Sequence, residues 1–446
     1  MQYIGLLDYV LLPFVLAIIY LIAYRIRDKK YPPKHPWRKY FIAGLSVKLF
    51  GAVFNGMLHY YYYGFGDTFN FFTHSQIINS ALDDSFLKWV NLLFRIPDYY
   101  DVNYYHYTSQ MRWYTDPSSY TVSAVGAVFG LFTFNTYLPI AALFAFVSFS
   151  GLWAMFRTFS GIYPHLTRQI AIAILFIPTT VLWGSGFYKD TICMFGLGWL
   201  TYGVFRFLVQ KDFSLKNILL AVISFILIAA VKIYILAAFV PALGIWILFN
   251  YTQTIRSKFM RQVIKLMAAA IMIAVSIVFL SSESLGSYSL DKIADKAEET
   301  RGWIMYSSDL SEGSTYTLGE MDPSLNGMLK KFPQAVNVSL FRPYLWESKK
   351  AIMLFSAIES LLFLLLTITV IYRVGLKKLW KAIVEDPTIQ FCLIFAIIFA
   401  FAVGVTTYNF GSLSRYKIPC LPFYTLAFML IYYKYNPTSK RLLGFL

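Results

Sequence analysis

Charge is what this chain has least of. Only 14% of its 446 residues are Asp, Glu, Lys or Arg, against 58% hydrophobic residues. A soluble protein of this length carries roughly 25% charged residues, so the apolar excess has to face lipid. Acidic residues are scarcer than basic ones, 23 against 39, and the net charge is +16. That balance is no nucleic-acid footprint, because the Lys and Arg cluster between apolar runs, as the positive-inside rule predicts. Cysteine is nearly absent. Cys193, Cys392 and Cys420 stand in or beside apolar segments with no CxxC or Cys/His spacing, which argues against a disulfide framework and a structural metal site. There is no repeat of fixed period and no low-complexity tract. The 1–24 stretch lacks a basic n-region and a small-residue cleavage site, so it reads as a first span and not a removable signal.

In place of charge there are apolar runs near the roughly 17–25 residues that a spanning helix needs. They lie at 7–24, 40–62, 136–156, 169–187, 190–209, 217–231, 233–250, 263–281, 351–373, 387–407 and 417–433. A shorter stretch at 119–134, rich in Gly, Ala, Ser and Phe, is either a twelfth span or a re-entrant piece. The expected class is all-α: a polytopic transmembrane helical bundle of about 11–12 spans with interfacial helices outside it. Basic clusters at Arg25/Arg27/Lys29/Lys30, Arg256/Lys258/Arg261/Lys265, Arg373/Lys377/Lys378/Lys381 and Lys434/Lys440/Arg441 should be cytoplasmic. Alternation then puts the N-terminus, 63–135, 282–350 and 408–416 outside. The scheme closes only if 119–134 does not fully cross.

The chain thus divides into two first spans (1–62), an external segment (63–135), a central bundle (136–281), a second external loop (282–350) and C-terminal spans with a cytoplasmic tail (351–446). Phe86 to Phe94 reads as a helix lying in the interface plane. The second loop carries a charged helical patch from Asp291 to Arg301, a solvated face, and then a Gly/Ser/Thr stretch.

Polar residues worth explaining converge on the outer level of this scheme. Asp67 follows Tyr60-Tyr61-Tyr62-Tyr63-Gly64-Phe65-Gly66, where an apolar segment runs into the first polar loop. Tyr188-Lys189-Asp190 lies between two spans, and Lys232 with Tyr234 marks a tight external turn. Arg342, Trp346 and Glu347 close the second loop, and Glu359 lies a few turns into the next span. Asn409, Ser412, Arg415 and Lys417 precede Pro419. Cationic side chains can clamp a phosphate, a carboxylate can take the proton of an attacking hydroxyl, and aromatic rings can receive a sugar and an isoprenoid chain. Each residue has a structural alternative. Basic residues at helix ends snorkel, and aromatics form an interfacial belt. Asp67 and Asp190 would cap helices, Lys189 and Asp190 would form a local ion pair, and Lys48 would pair with Glu359 or another carboxylate. His59, His74 and His106 show no ligand spacing.

These residues resemble the bacterial members of the GT-C superfamily, membrane glycosyltransferases and polysaccharide polymerases that use polyprenyl-phosphate-linked sugars. The resemblance rests on Gly66-Asp67 with Asn70, on Pro178 through Trp183-Gly184-Ser185-Gly186 to Lys189-Asp190, on Arg342-Pro343-Tyr344-Leu345-Trp346-Glu347 with Glu359, and on Asn409-Phe410-Gly411-Ser412 with Arg415-Tyr416-Lys417 and Pro419. It implies that Asp67 is the general base or positions the acceptor. It implies that Lys189, Arg342 and Arg415, with Lys232 beside them, hold the lipid phosphate. Asn70, Asp190, Trp346, Glu347, Glu359 and Asn409 would support the acceptor or the site. The second acidic residue usual in that loop is not beside Asp67, so Asp83, Asp84, Asp98 or Asp101 would serve.

The expected partners are a polyprenyl-phosphate-linked sugar, membrane lipids and envelope-biosynthesis proteins, with no nucleic acid. The sequence identifies no certain cofactor, and a divalent cation held by Asp67 and another loop carboxylate stays open. Two rivals remain: a transporter or flippase for lipid-linked glycans, kept alive by Lys48 and Glu359, and a non-catalytic membrane subunit of an envelope machine.

Overall fold

The computed structural model describes residues 3–280, 292–310, 314–320, 322, 324–348 and 350–436. Among the described residues the regular elements are helices, with one isolated β-bridge. In chain order they begin with α1 (Leu6–Lys30), α2 (Arg38–Leu58), α3 (Asp67–Ser80), α4 (Phe86–Leu93), α5 (Tyr105–Thr108), α6 (Pro117–Leu131) and α7 (Tyr137–Ile162). The middle holds α8 (Thr167–Leu175), α9 (Pro178–Trp183), α10 (Lys189–Val204), α11 (Leu215–Thr252), α12 (Lys258–Leu280) and α13 (Ile293–Leu310). The last third holds α14 (Leu325–Lys330), α15 (Phe332–Phe341), α16 (Ala351–Val374), α17 (Leu376–Glu385), α18 (Pro387–Thr407), α19 (Phe410–Tyr416) and α20 (Leu421–Tyr435).

Seven helical segments among the described residues are long and apolar enough to cross a membrane. They are α1, α2 with its π-turn extension to Tyr63, α7, α10 extended to Val209, α11, α16 and α18. The expected 11–12 spans are fewer: 263–281 falls on α12, which is not among the seven, and its last residue, 281, lies outside the described residues. The 169–187 span breaks into α8 and α9, because the position before Pro178 disfavours helix and Pro178 itself opens a new one. The 217–231 and 233–250 stretches are two helical pieces that run together as α11 and meet at a kink at Lys232 (φ −150°, ψ 76°), the position where the turn was expected. They count as one of the seven segments. The 119–134 stretch is α6, whose 15 residues rise about 22 Å, short of the roughly 30 Å hydrocarbon core. The 417–433 span is α20, also 15 residues. Part of the expected charged patch, at Asp291, lies outside the described residues.

The chain forms two compact units. The first comprises Met1–Arg157, Thr180–Leu200 and Leu219–Lys232; the second comprises Thr158–Thr179, Thr201–Ile218 and Ile233–Leu446.

In the first unit, buried Asp8 takes the N–H of Leu138 at 2.8 Å, so the carboxylate of α1 meets the positive start of α7. Trp153 Nε1 donates to Tyr31 Oη at 2.8 Å among the rings of Phe41 and Phe149. Close backbone approach of α7 to α10 depends on Gly151 and Gly198, where a Cβ would meet the opposing main chain. α3 packs on α6, and the amphipathic α4 starts at Ser85, whose Oγ accepts from Leu87 and Lys88 N–H at 3.1 and 3.4 Å.

In the second unit, Trp246, Phe239, Phe391, Phe395 and Phe423 form an aromatic core, with Trp246 Nε1 on Thr388 Oγ1 at 3.2 Å. α18 packs against α20 and α15. The loop expected over 282–350 is therefore not all loop. α15 lies on the spanning helix α18, with Ser339 Oγ donating to Ala400 O at 2.6 Å and Gly404 giving room for the α15 backbone.

Candidate functional site

The residues singled out by sequence fall into two clusters, one in each unit. In the first unit Asp67 is the first residue of α3 and is exposed. Gly64 (φ 73°) and Gly66 (φ 154°) precede it in backbone that other residues rarely adopt, and a Cβ on Gly66 would strike the His59 ring. A carboxylate in the first helical turn also complements the helix dipole, while the N-cap position itself is held by Gly66. Asn70, half-buried, stands one turn further on the same helix. His59 holds the preceding turn: its Nδ1 is 3.0 Å from Asn55 O, and both ring nitrogens lie 3.2 Å from Tyr188 Oη. Tyr188 donates to Asn55 Oδ1 at 2.6 Å, and Asn55 Nδ2 donates to Leu182 O at 3.1 Å.

Lys189 and Asp190 open α10, and each has an ion-pair partner elsewhere in the unit. Lys189 Nζ reaches Asp116 Oδ2 at 3.4 Å, and Asp190 Oδ1 takes Lys232 Nζ at 2.5 Å. Asp116 caps α6, accepting the N–H groups of Ser118 and Ser119 at 3.1 and 3.2 Å and the Ser119 hydroxyl at 2.5 Å. Burial pushes its carboxyl up, but the Ser119 hydroxyl and the Lys189 charge pull harder, and it titrates below the usual aspartate range. Asp116 was missed by sequence reasoning, although Asp116-Pro117-Ser118-Ser119 carries the cap residue and N1 proline that signal a helix start. Lys232 sits at the break in α11, and beside it Ser118 Oγ donates to Val231 O at 2.5 Å. So placed, Lys232 is the internal counter-ion of Asp190. Lys48 is fully buried, and its ammonium donates to Thr180 O at 3.4 Å and to Gly184 O. Its partners among the described residues are carbonyls of α9 and the turn after it, and not the carboxylate the sequence suggests.

In the second unit, Arg342 and Glu347 form a two-pronged ion pair: Nε meets Oε2 at 3.0 Å, and Nη2 meets Oε1. Glu347 Oε2 also takes the Tyr344 N–H at 2.8 Å. Burial raises the Glu347 carboxyl, yet the Arg342 bonds outweigh it and hold it below the usual glutamate range. Trp346, 81% exposed, stacks on Tyr344 with ring centres 4.9 Å apart. Glu359 is buried and accepts from the Thr179 N–H at 2.8 Å and the Thr179 hydroxyl at 2.6 Å, so it caps α9 from α16. Asn409 caps α19, taking the Ser412 N–H at 2.9 Å, and bridges in antiparallel fashion to Thr315. Arg415, half-buried, lies over the Tyr416 ring at 5.8 Å. Fully buried Lys417 donates to Ser360 Oγ at 3.1 Å and to Arg342 O at 3.4 Å. Tyr316, whose ring flanks Arg342 together with that of Phe410, gave no sequence signal; the strap through Thr315 brings it there.

Among the described residues no group of three or more His, Cys, Asp or Glu side chains gathers as a metal site would require. No family model, curated protein or solved structure matches the chain.

Proposed function

We propose that the chain is a membrane transferase of the GT-C kind. It moves a sugar or oligosaccharide from a polyprenyl (pyro)phosphate carrier to an acceptor outside a bacterial cytoplasmic membrane. The observation that carries this reading is Asp67: an exposed carboxylate at the start of α3, delivered by two glycines in left-handed backbone. Helices long and apolar enough to cross a membrane, and part-exposed Arg342 and Lys189, are consistent with an anionic substrate carried on a lipid. In the reaction the acceptor hydroxyl oxygen bonds to the anomeric carbon as its proton passes to Asp67. The carbon–oxygen bond to phosphate breaks and the phosphate leaves with the electron pair. Positive charge is required where negative charge accumulates, the role the resemblance gives to Lys189, Arg342 and Arg415. Inversion at the anomeric carbon follows from this single displacement.

Replacing Asp67 by Asn tests the assignment. The variant should fold and insert at wild-type level yet yield no transferred product from lipid-linked sugar in proteoliposomes. Undiminished product would remove Asp67 from the chemistry.

A flippase is the second reading, favoured by the break in α11 with the buried Asp190–Lys232 pair at it, since broken helices with internal charge recur in transporters. Translocation of a fluorescent lipid-linked glycan by purified protein, without transfer, would select it.

A further inference from the structure

The Glu347 carboxylate occupies a place shaped for an anion. Three N–H donors converge on its two oxygens: two from the flat guanidinium of Arg342 and one from the Tyr344 backbone. A planar fork of this kind matches two oxygens of a phosphate as well as two of a carboxylate. Arg342 is fixed independently of Glu347. The rings of Phe410, Tyr316 and Tyr344 stand 5.2, 5.8 and 5.8 Å from its guanidinium carbon. Its backbone carbonyl accepts from Ser360 Oγ at 3.0 Å and from Lys417 Nζ at 3.4 Å. Tyr316 is itself pinned, its N–H on Tyr408 O at 3.1 Å and its hydroxyl on Gly404 O at 3.0 Å. Glu347, by contrast, sits on the single 3-10 turn Leu345–Glu347, beside exposed Leu345 and Trp346. The cation is anchored, and the anion is on a short surface turn.

We propose that Glu347 is a resident anion, which holds the Arg342 site until a phosphoryl headgroup displaces it. This rests on Arg342 as a phosphate-holding residue and adds how the site is kept filled between substrates. Both partners are part-buried, each side chain 19% exposed, so a ligand can reach the pair, and to enter it must outcompete a two-pronged carboxylate contact. A phosphate monoester brings more negative charge and a third oxygen to the same fork. When it enters, the carboxylate swings outward with its turn. An empty, unpaired guanidinium among aromatic rings would otherwise attract any passing anion, and Glu347 screens out the weaker ones.

The experiment is a binding titration of purified full-length protein with undecaprenyl phosphate in nanodiscs, read by native mass spectrometry. A parallel titration uses inorganic phosphate. Glu347→Gln keeps the shape and an acceptor for the Tyr344 N–H, and it should raise affinity about tenfold, the size of one charge-assisted contact. Glu347→Asp, which keeps the charge on a shorter arm, should raise it by less and serves if the Gln variant does not fold. Arg342→Gln should abolish binding in either background. Tightening with undecaprenyl phosphate identifies a lipid headgroup; tightening with inorganic phosphate alone identifies a free one. Binding lost with Arg342→Gln but unchanged or weakened by Glu347→Gln would overturn the resident-anion role while leaving Arg342 as the clamp. Binding insensitive to Arg342→Gln would overturn both.

Discussion

Two ion pairs, one in each unit, do opposite things with the same chemistry. Asp190 and Lys232 have side chains 0% and 6% exposed and meet at 2.5 Å, where α11 breaks. Arg342 and Glu347 lie near the surface, held by rings on one side and open on the other. In a low dielectric, each member of a sealed pair is tolerable only because the other is there. At an edge, water or a ligand can take either place, so the contact is worth little to the fold and much to exchange. Burial thus separates a charge that supports structure from one that can serve a substrate. Lys232, proposed from sequence as a phosphate contact, belongs by this criterion with the first kind.

The largest effect should come from breaking the sealed pair. Lys232→Met takes the ion-pair partner from buried Asp190, at an expected cost of about 3–5 kcal/mol. The variant should melt far below wild type in detergent and elute as aggregate in size-exclusion chromatography. Asp190→Leu combined with Lys232→Met should recover most of that loss. If Lys232→Met melts like wild type, the pair is not what holds the α11 break, and the contrast between the two pairs fails.

Lys48 extends the comparison to a cation sealed without a carboxylate. Its ammonium satisfies Thr180 O and Gly184 O, carbonyls at the end of the short helix α9. Lys48→Met removes a donor from both carbonyls, of which Gly184 O keeps the Ser148 hydroxyl at 3.2 Å, and should cost about 1–3 kcal/mol by thermal unfolding. A stabilised Lys48→Met would mean that burying the charge costs more than the carbonyls return, and it would point to a retained function for the lysine.

How much of this was legible beforehand depends on what each residue's environment owes to its neighbours in sequence. The membrane class was plain, because low charge and long apolar runs are local properties. The breaks at Pro178 and Lys232 were not equally plain. Proline marks its own break through its ring, whereas Lys232 is held out of helix by a partner 42 positions away, Asp190. Lys189 and Asp190 looked like neighbours forming one pair, but successive residues on a helix point about 100° apart, and each found a separate partner, Asp116 and Lys232. α15 could not be foreseen packed on α18, since its apolar face differs little from that of any interfacial helix.

Acidification should separate the sealed residues from the edge ones. His74 is buried on α3, and burial pushes its imidazole down to about 4, against an ordinary value of about 6.5. Between those values the unfolded chain binds a proton that the folded one does not. Stability is therefore full above about pH 6.5 and falls as the pH drops toward 4. Glu347 acts in a lower window: its depressed carboxyl contributes stability that is lost only as the pH falls below the ordinary glutamate value of about 4.3. Melting temperature measured from pH 7 to 4 should decline in wild type and decline less in His74→Phe. An equal slope in both would locate the acid sensitivity elsewhere.

The smallest change in stability is expected at the most exposed aromatic residue of the edge site. Trp346 stacks on Tyr344 but buries little else, so Trp346→Ala should alter unfolding by no more than about 0.5 kcal/mol. Its ligand effect should be larger than its structural one. A ring lost from beside Tyr344 removes one aromatic contact, worth about 0.5–1.5 kcal/mol, so binding of an undecaprenyl-linked sugar should weaken roughly two- to tenfold. Binding of undecaprenyl phosphate without the sugar should be unaffected, because the phosphate is assigned to the guanidinium fork and the Tyr344 N–H. Equal loss with both lipids would make Trp346 an anchor for the isoprenoid chain or the bilayer, and would leave the sugar side of the edge site without its aromatic platform.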